Sequence, residues 1–418
     1  MKIYTSSYRS PMPKLKQDTM STLIDIVVED IPDVLSKRDP NHDMISGLLF
    51  NGSITPEGLI HNTIFRLASL EDAEKLGITE AYDVQGQSAY YQIQQYYRLN
   101  PVGDLFIMAT ESTSYGELAS NANKMQEATG GEIRQMALVF SGNATFFDTK
   151  LAIQEAQLQV DNAYQNYMPF EVLVEGKGFP EVYSKGVSAL DDLADYNANN
   201  VSVVIAMDVE DAMKYPNTAA VGMALGAVSY AKVSENIVWA EQFNLQGKGF
   251  LKAGLIGGKE IVTQKDLKVL NQRRYVFARK HVGVPGLYFN DSHTATSGTS
   301  DFAYIENNRT ANKATRLLHK ALLPKLNSSI LINANGTVAL SVLKGFEVIC
   351  LKTLQGMMSS REISTFDIFI DPSQDVLTHS ELRIKAEITP IGIARKIVID
   401  LGFKNPFRLN KQERLHSN

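Results

Sequence analysis

At 418 residues the chain is long enough for two or three domains with substantial cores, and 44% hydrophobic with 21% charged residues is the composition of a folded protein. A net charge of -5 lacks the basic excess of a nucleic-acid binder. The single cysteine, Cys350, excludes an internal disulfide and fits a reducing compartment.

Charge is unevenly placed. Lys2, Arg9, Lys14 and Lys16 stand at one end with no acid among residues 1–17, and Lys404, Arg408, Lys411 and Arg414 stand at the other against Glu413 alone. Basic ends on a more acidic body suit arms that lie on neighbouring copies, although two solvated termini carry the same signature. Residues 1–22 are read as an N-terminal arm. Residues 1–19 lack the apolar core of a signal peptide, and Met20 is an alternative start.

In chain order, the run Leu23-Ile24-Asp25-Ile26-Val27-Val28-Glu29 predicts a strand with Ile24, Ile26 and Val28 on one face. Residues 44–50 predict a second strand and 52–58 a loop. A helix from about Leu70 to Gly77 follows, then a tyrosine-rich helix over 88–98. Strands are predicted over 105–109, 133–140, 170–174 and 201–207, with helices over 115–128 and 148–167 between them and further helices after the last two. This alternation predicts an α/β body: a central, mostly parallel sheet flanked by helices on both faces. The uncharged stretch 215–231, with Gly222 and Gly226, is shorter than the ~20 residues that cross a bilayer and contains Pro216 and Asn217. It predicts a buried, tightly packed helix. Residues 293–300, rich in serine and threonine, read as a mobile loop.

The last hundred residues predict an α+β domain. A helix from Asp301 to about Leu323 puts Ala314, Leu317, Leu318 and Ala321 on one side and Arg309, Lys313, Arg316 and Lys320 on another. That basic stripe is a candidate contact for an acidic partner, or else a solvated face. An apolar helix over 337–358 precedes three runs of period two, at 365–371, 381–388 and 393–401, which predict antiparallel strands with one dry face. The last presents Ile393, Ile397, Ile399 and Leu401 on one side and is hinged to its predecessor by Thr389-Pro390-Ile391-Gly392. A strand so hinged either folds back on its own sheet or adds to the sheet of another molecule.

Catalytic signatures are missing. The loops after the predicted parallel strands, 110–114, 141–144 and 208–211, hold no glycine fingerprint for a nucleotide. In Gly254-Leu255-Ile256-Gly257-Gly258-Lys259-Glu260 a glutamate stands where a phosphate loop needs Ser or Thr. The seven histidines, at 42, 61, 281, 293, 319, 379 and 416, show no ligand spacing. Asp291 and His293 are the nearest approach to a metal pair, and such residues in a turn and a loop are usually just solvated. Cys350 in an apolar helix is a poor nucleophile. The expectation is therefore no enzyme, no cofactor and no metal.

Taken in series, several patterns resemble the tail sheath proteins of contractile phage tails and related injection systems, in particular their smaller branch. They are the opening strand, Met44-Ile45-Ser46-Gly47-Leu48-Leu49-Phe50, Tyr96-Tyr97-Arg98-Leu99-Asn100-Pro101, Asn308-Arg309-Thr310-Ala311-Asn312-Lys313-Ala314, and the closing run from Phe369-Ile370-Asp371-Pro372 through Ile393-Ala394-Arg395-Lys396-Ile397. The chain departs from many sheath proteins at Ile332-Asn333-Ala334-Asn335-Gly336, where they carry Phe-Glu-Pro-Asn. The resemblance implies a self-assembling subunit that stacks as hexameric rings around an inner tube, linked by strands donated between neighbours. It implies contraction without nucleotide, and as partners other copies, the tube protein, the baseplate and the tail terminator, with no nucleic acid and no membrane insertion. The expected location is a virion tail or a cytoplasmic contractile apparatus. The domains then read as arm 1–22, outer α/β body 23–300, inner α+β domain 301–403 and tail 404–418, with linking strands at Ile24, Ile26 and Val28 and at Ile393, Ile397, Ile399 and Leu401. Two alternatives are an α/β enzyme with an unrecognised site and another virion structural protein.

Overall fold

A computed structural model describes residues 42–84, 86–260 and 264–403. After a short 3-10 turn at His42–Met44, the chain enters β1 (Ser46–Asn51), then β2 (Ile64–Leu67), α1 (Leu70–Lys75) and α2 (Ala89–Leu99). β3 (Leu105–Thr110) leads through α3 (Tyr115–Ser120) and α4 (Ala122–Ala128) to β4 (Gln135–Val139), α5 (Phe146–Gln165) and β5 (Glu171–Glu175). α6 (Phe179–Tyr183) and β6 (Val201–Val204) follow. These six strands form one sheet in the order β2-β3-β1-β4-β5-β6, parallel throughout except for β2 at the edge. The residues of β3, β4, β5 and β6 are buried along their whole length, which is why they read in sequence as continuous apolar runs rather than alternations.

The crossover from β1 to β3 runs one way across the sheet and those from β3 to β4 and β4 to β5 run the other, so right-handed connections put α2 on one face and α3 to α5 on the opposite one. α7 (Val221–Tyr230), introduced after β7 (Ala206–Asp208), joins α2 against β4 and β5. This is the expected buried helix. A Cβ at Gly222 would lie 2.1 Å from the carbonyl oxygen of Gln92, and one at Gly226 2.7 Å from that of Tyr96. Only glycine permits such contact. The buried Gln92 amide completes the junction, donating to the Ala219 carbonyl (2.7 Å) and accepting from the Gly222 N–H (2.6 Å). No helix among the described residues is long and apolar enough to cross a membrane.

Three expectations are corrected. The run 201–207 is two strands, because the Ile205 backbone turns away to bond with Val276 and Ile256; β6 stays in the main sheet while β7 pairs antiparallel with β8 (Ala253–Leu255). The helix over 115–128 is broken at Asn121, whose amide donates to the Glu117 carbonyl (2.9 Å). Residues 293–296 are buried rather than loose, with bridges from Ala295 to Ala198 and from His293 to Tyr304. β9 (Lys259–Glu260), α8 (Gln264–Gln272) and the hairpin β10 (Ala278–His281) and β11 (Val284–Phe289) complete the body.

Beyond the body, α9 (Ile305–Leu322) and α10 (Leu340–Ser359) pack together and against β12 (Ile363–Phe369), which pairs antiparallel with β13 (Lys385–Pro390) after the short α11 (Val376–His379). The described part of the chain from residue 42 onward lies within one compact unit. The strand expected at 23–29 and the tail 404–418 lie outside the described residues.

Candidate assembly interface

The α9–α10 module has a small core: Ala314, Leu354, Met357 and Ile363 are buried, with Leu317, Leu318, Phe366, Ile368 and Ile388 packed against them. The registers Phe366↔Ile388 and Ile368↔Ala386 supply the apolar face of the β12–β13 pair. On its other face Asp367 stands directly across from Glu387, a like-charge pairing that costs stability. The outer edges of both strands are unpaired among the described residues, and a two-stranded sheet with open edges is marginal alone and a template for further strands. Beside it Leu326, Ile332, Phe346, Leu377, Leu382 and Ile384 contribute to a groove of about 530 Å³.

The third expected strand, 393–401, is not a strand in the isolated chain. It does not fold back on β12 or β13, and Ile397, Ile399 and Leu401 are 78%, 79% and 94% exposed. Ile393, half-buried, sits just before Arg395, the last residue tied to the body. The Arg395 guanidinium pairs with Glu306, donates to Asp291 (3.3 Å) and lies 3.4 Å from the centre of the Tyr304 ring. From residue 396 the chain runs exposed. The matching N-terminal residues, Ile24, Ile26 and Val28, lie outside the described residues.

The basic stripe on α9 is corrected in three of its four members, which point inward. Arg309 is 3% exposed and donates to the carbonyls of Ala231, Lys232 and Asp43 at 3.1 to 3.2 Å. Lys313 bridges Asp43 and Glu362, both at 2.6 Å, and Arg316 lies 3.7 Å from Asp43. Only Lys320 is exposed. Burial pushes the Asp43 carboxyl up, but Lys313, Arg309 and Arg316 outweigh it and hold the group below its ordinary value. The same helix embeds Glu171, which accepts from Asn200 (2.8 Å), Asn312 (2.8 Å) and Asn308 (3.3 Å); burial raises its carboxyl to about 8 despite those bonds. Glu306 is also pushed up by burial, with Arg395 and Ser292 opposing the rise.

Sequence reasoning missed the carboxylates that satisfy the stripe, because Asp43 and Glu362 are 270 and 49 residues from Lys313. The Asp291/His293 pair is not a solvated metal candidate either. His293 is buried against Asn271 (3.2 Å), and burial lowers its imidazole to about 4. Among the described residues no group of three or more His, Cys, Asp or Glu side chains could hold a metal ion.

Family models match residues 23–293, as the DUF2586 N-terminal domain, and residues 301–408, as the DUF2586 C-terminal domain. A sequence search of curated proteins finds no match. The fold is similar to that of a chain in the anti-feeding prophage baseplate, 6-fold symmetrised (TM-score 0.61, 12% identity, 92% of this chain and 100% of that one). It is also similar to a chain in the anti-feeding prophage helical sheath in the contracted state (0.60, 14%, 90% and 100%) and to one in the PVC sheath complex of an extracellular contractile injection system in the contracted state (0.59, 10%, 94% and 100%). The chain is thus a member of the DUF2586 family, built on the fold of sheath and baseplate chains from contractile injection systems.

Proposed function

We propose that the chain is a non-enzymatic, self-assembling subunit of a contractile sheath. It stacks as hexameric rings around a tail tube, between baseplate and terminator, and contraction drives the tube through a target envelope. Residues 23–300 would form the outer body and 301–403 the inner domain, in a virion tail or a cytoplasmic contractile apparatus. The observation that carries the reading is the pairing of need and supply in the last hundred residues. A two-stranded sheet there has open edges, and a segment with Ile397, Ile399 and Leu401 on one side finds no partner strand among the described residues. Strand addition between copies satisfies both, since main-chain hydrogen bonds supply the affinity and the alternating apolar side chains the register. Likeness over nine-tenths of the chain to a contracted sheath supports the same reading.

The test is deletion of residues 397–418. The expected product is a folded monomer that forms no tubes or rings by negative-stain electron microscopy under conditions in which the full chain does; tubes from the deleted chain would refute the role given to the arm. The likeness to baseplate chains favours a narrower variant, a ring seated at the baseplate. Assembly that stops at single rings would distinguish it from a bulk sheath subunit.

A further inference from the structure

The two places where the described body meets the chain's end segments are tied to the same helix. At one end Asp43, just before β1, binds Lys313 through its carboxylate (2.6 Å) and Arg309 through its carbonyl (3.1 Å). At the other, Arg395 pairs with Glu306 on the first turn of α9 and stacks on Tyr304, the residue that precedes it. Each tie has one partner shielded from water, Glu306 at 2% exposure and Arg309 at 3%, while the Arg395 side chain reaches in from a more open position at 28%. A charge-assisted bond in such surroundings is held far more firmly than a surface ion pair, because breaking it strands a charge in a dry site. The exposed residues on either side of Arg395 have no comparable contact: Lys396 shows no ion pair or hydrogen bond among the described residues.

We propose that α9 is the common anchor of both arms, with Asp43 and Arg395 as positioning residues that fix where the N-terminal and C-terminal segments leave the body. This rests on the sheath reading, in which those segments link neighbouring copies. Tension on either arm then passes into one helix, which is itself bound to β5 through Asn308, Asn312 and Glu171, so the spacing between a copy's two connections is set inside that copy. Position 306 must carry a carboxylate, and position 395 a guanidinium long enough to reach it across Tyr304.

The full chain with Arg395→Ala and Glu306→Gln loses both charges, so neither is left buried alone. Spin labels at Ala394→Cys and Gln154→Cys, the latter on exposed α5 surface, report the arm's position; Cys350 is buried and escapes labelling. The expected result in the monomer is a single narrow distance distribution in the parent and one at least twofold broader in the double variant, with Lys396→Ala unchanged. Assemblies of the double variant, and of Asp43→Asn, should have irregular ring spacing by electron microscopy. An unbroadened distribution, or broadening with the parent's helical rise and twist retained, overturns the anchor. Tubes formed after deletion of 397–418 sink the arm reading instead, and the monomer distances still decide whether Arg395 holds the segment.

Discussion

In the body, β1 and β3 to β6 pair with one another along both sides of most strands, and apolar side chains from both helical layers close over them. Residues 305–403 use the same ingredients but stop short: two strands, a core cluster of four buried apolar residues, and nearly half of the large apolar side chains that are exposed among the described residues. The difference teaches where each part finds its stability. A sheet buried on both faces is complete within one chain, whereas a hairpin with a like-charge pair and a groove beside it gains most from what is added to it.

That contrast can be broken most severely at the body's closest contact. Gly222→Val forces a side chain into the Gln92 backbone and should cost about 3 kcal/mol or more, or abolish folding, as measured by urea denaturation. In the module, Leu354→Ala removes a fully buried side chain and should cost roughly 2–4 kcal/mol, by the ordinary price of a core truncation. If the module is the less complete part, near-UV signals from the body should survive to a higher temperature than those of a tryptophan probe placed in α10; a single shared transition would remove the distinction.

A smaller effect separates the two regions at their seam. Glu171 has a folded-state value raised to about 8 by burial, so the native chain keeps its proton where the unfolded chain has lost it. Stability should therefore fall as pH rises from about 4.5 to about 8 and level off above. Glu171→Gln removes the slope: its Tm should match the parent near pH 4.5 and exceed it by a few degrees at pH 8.5. A parent and variant with parallel pH profiles would show that the carboxyl is not held neutral. The smallest effect on the monomer belongs to the exposed arm, where Ile399→Asp should change stability by less than ~0.5 kcal/mol yet prevent assembly, as read by sedimentation.

Much of this division was legible beforehand. Strands such as Leu105–Thr110 announce burial on both faces, and Phe366 with Ile368 announces one dry face, because side-chain period follows from strand geometry alone. Hairpin β10–β11 is not legible in the sequence, since Pro285 and Gly286 interrupt its second strand. The basic stripe misled for a different reason. Helical spacing places Arg309, Lys313 and Arg316 on one face but says nothing about what covers it, and the cover comes from Asp43 and Glu362, far away along the chain. A terminal strand is the hardest case, because a strand is defined by a partner, and residues 397–403 have none among the described residues.

Because α2 and α7 meet main chain to main chain at Gly222 and Gly226, no rotamer change can let them slide; the contact is backbone, and backbone does not repack. In the contractile role proposed above, the body would then travel as a stiff block. In that role, displacement of one copy against another would be absorbed in the short connectors at its ends, such as the Pro390-Ile391-Gly392 elbow, whose torsions would record how far the block had turned.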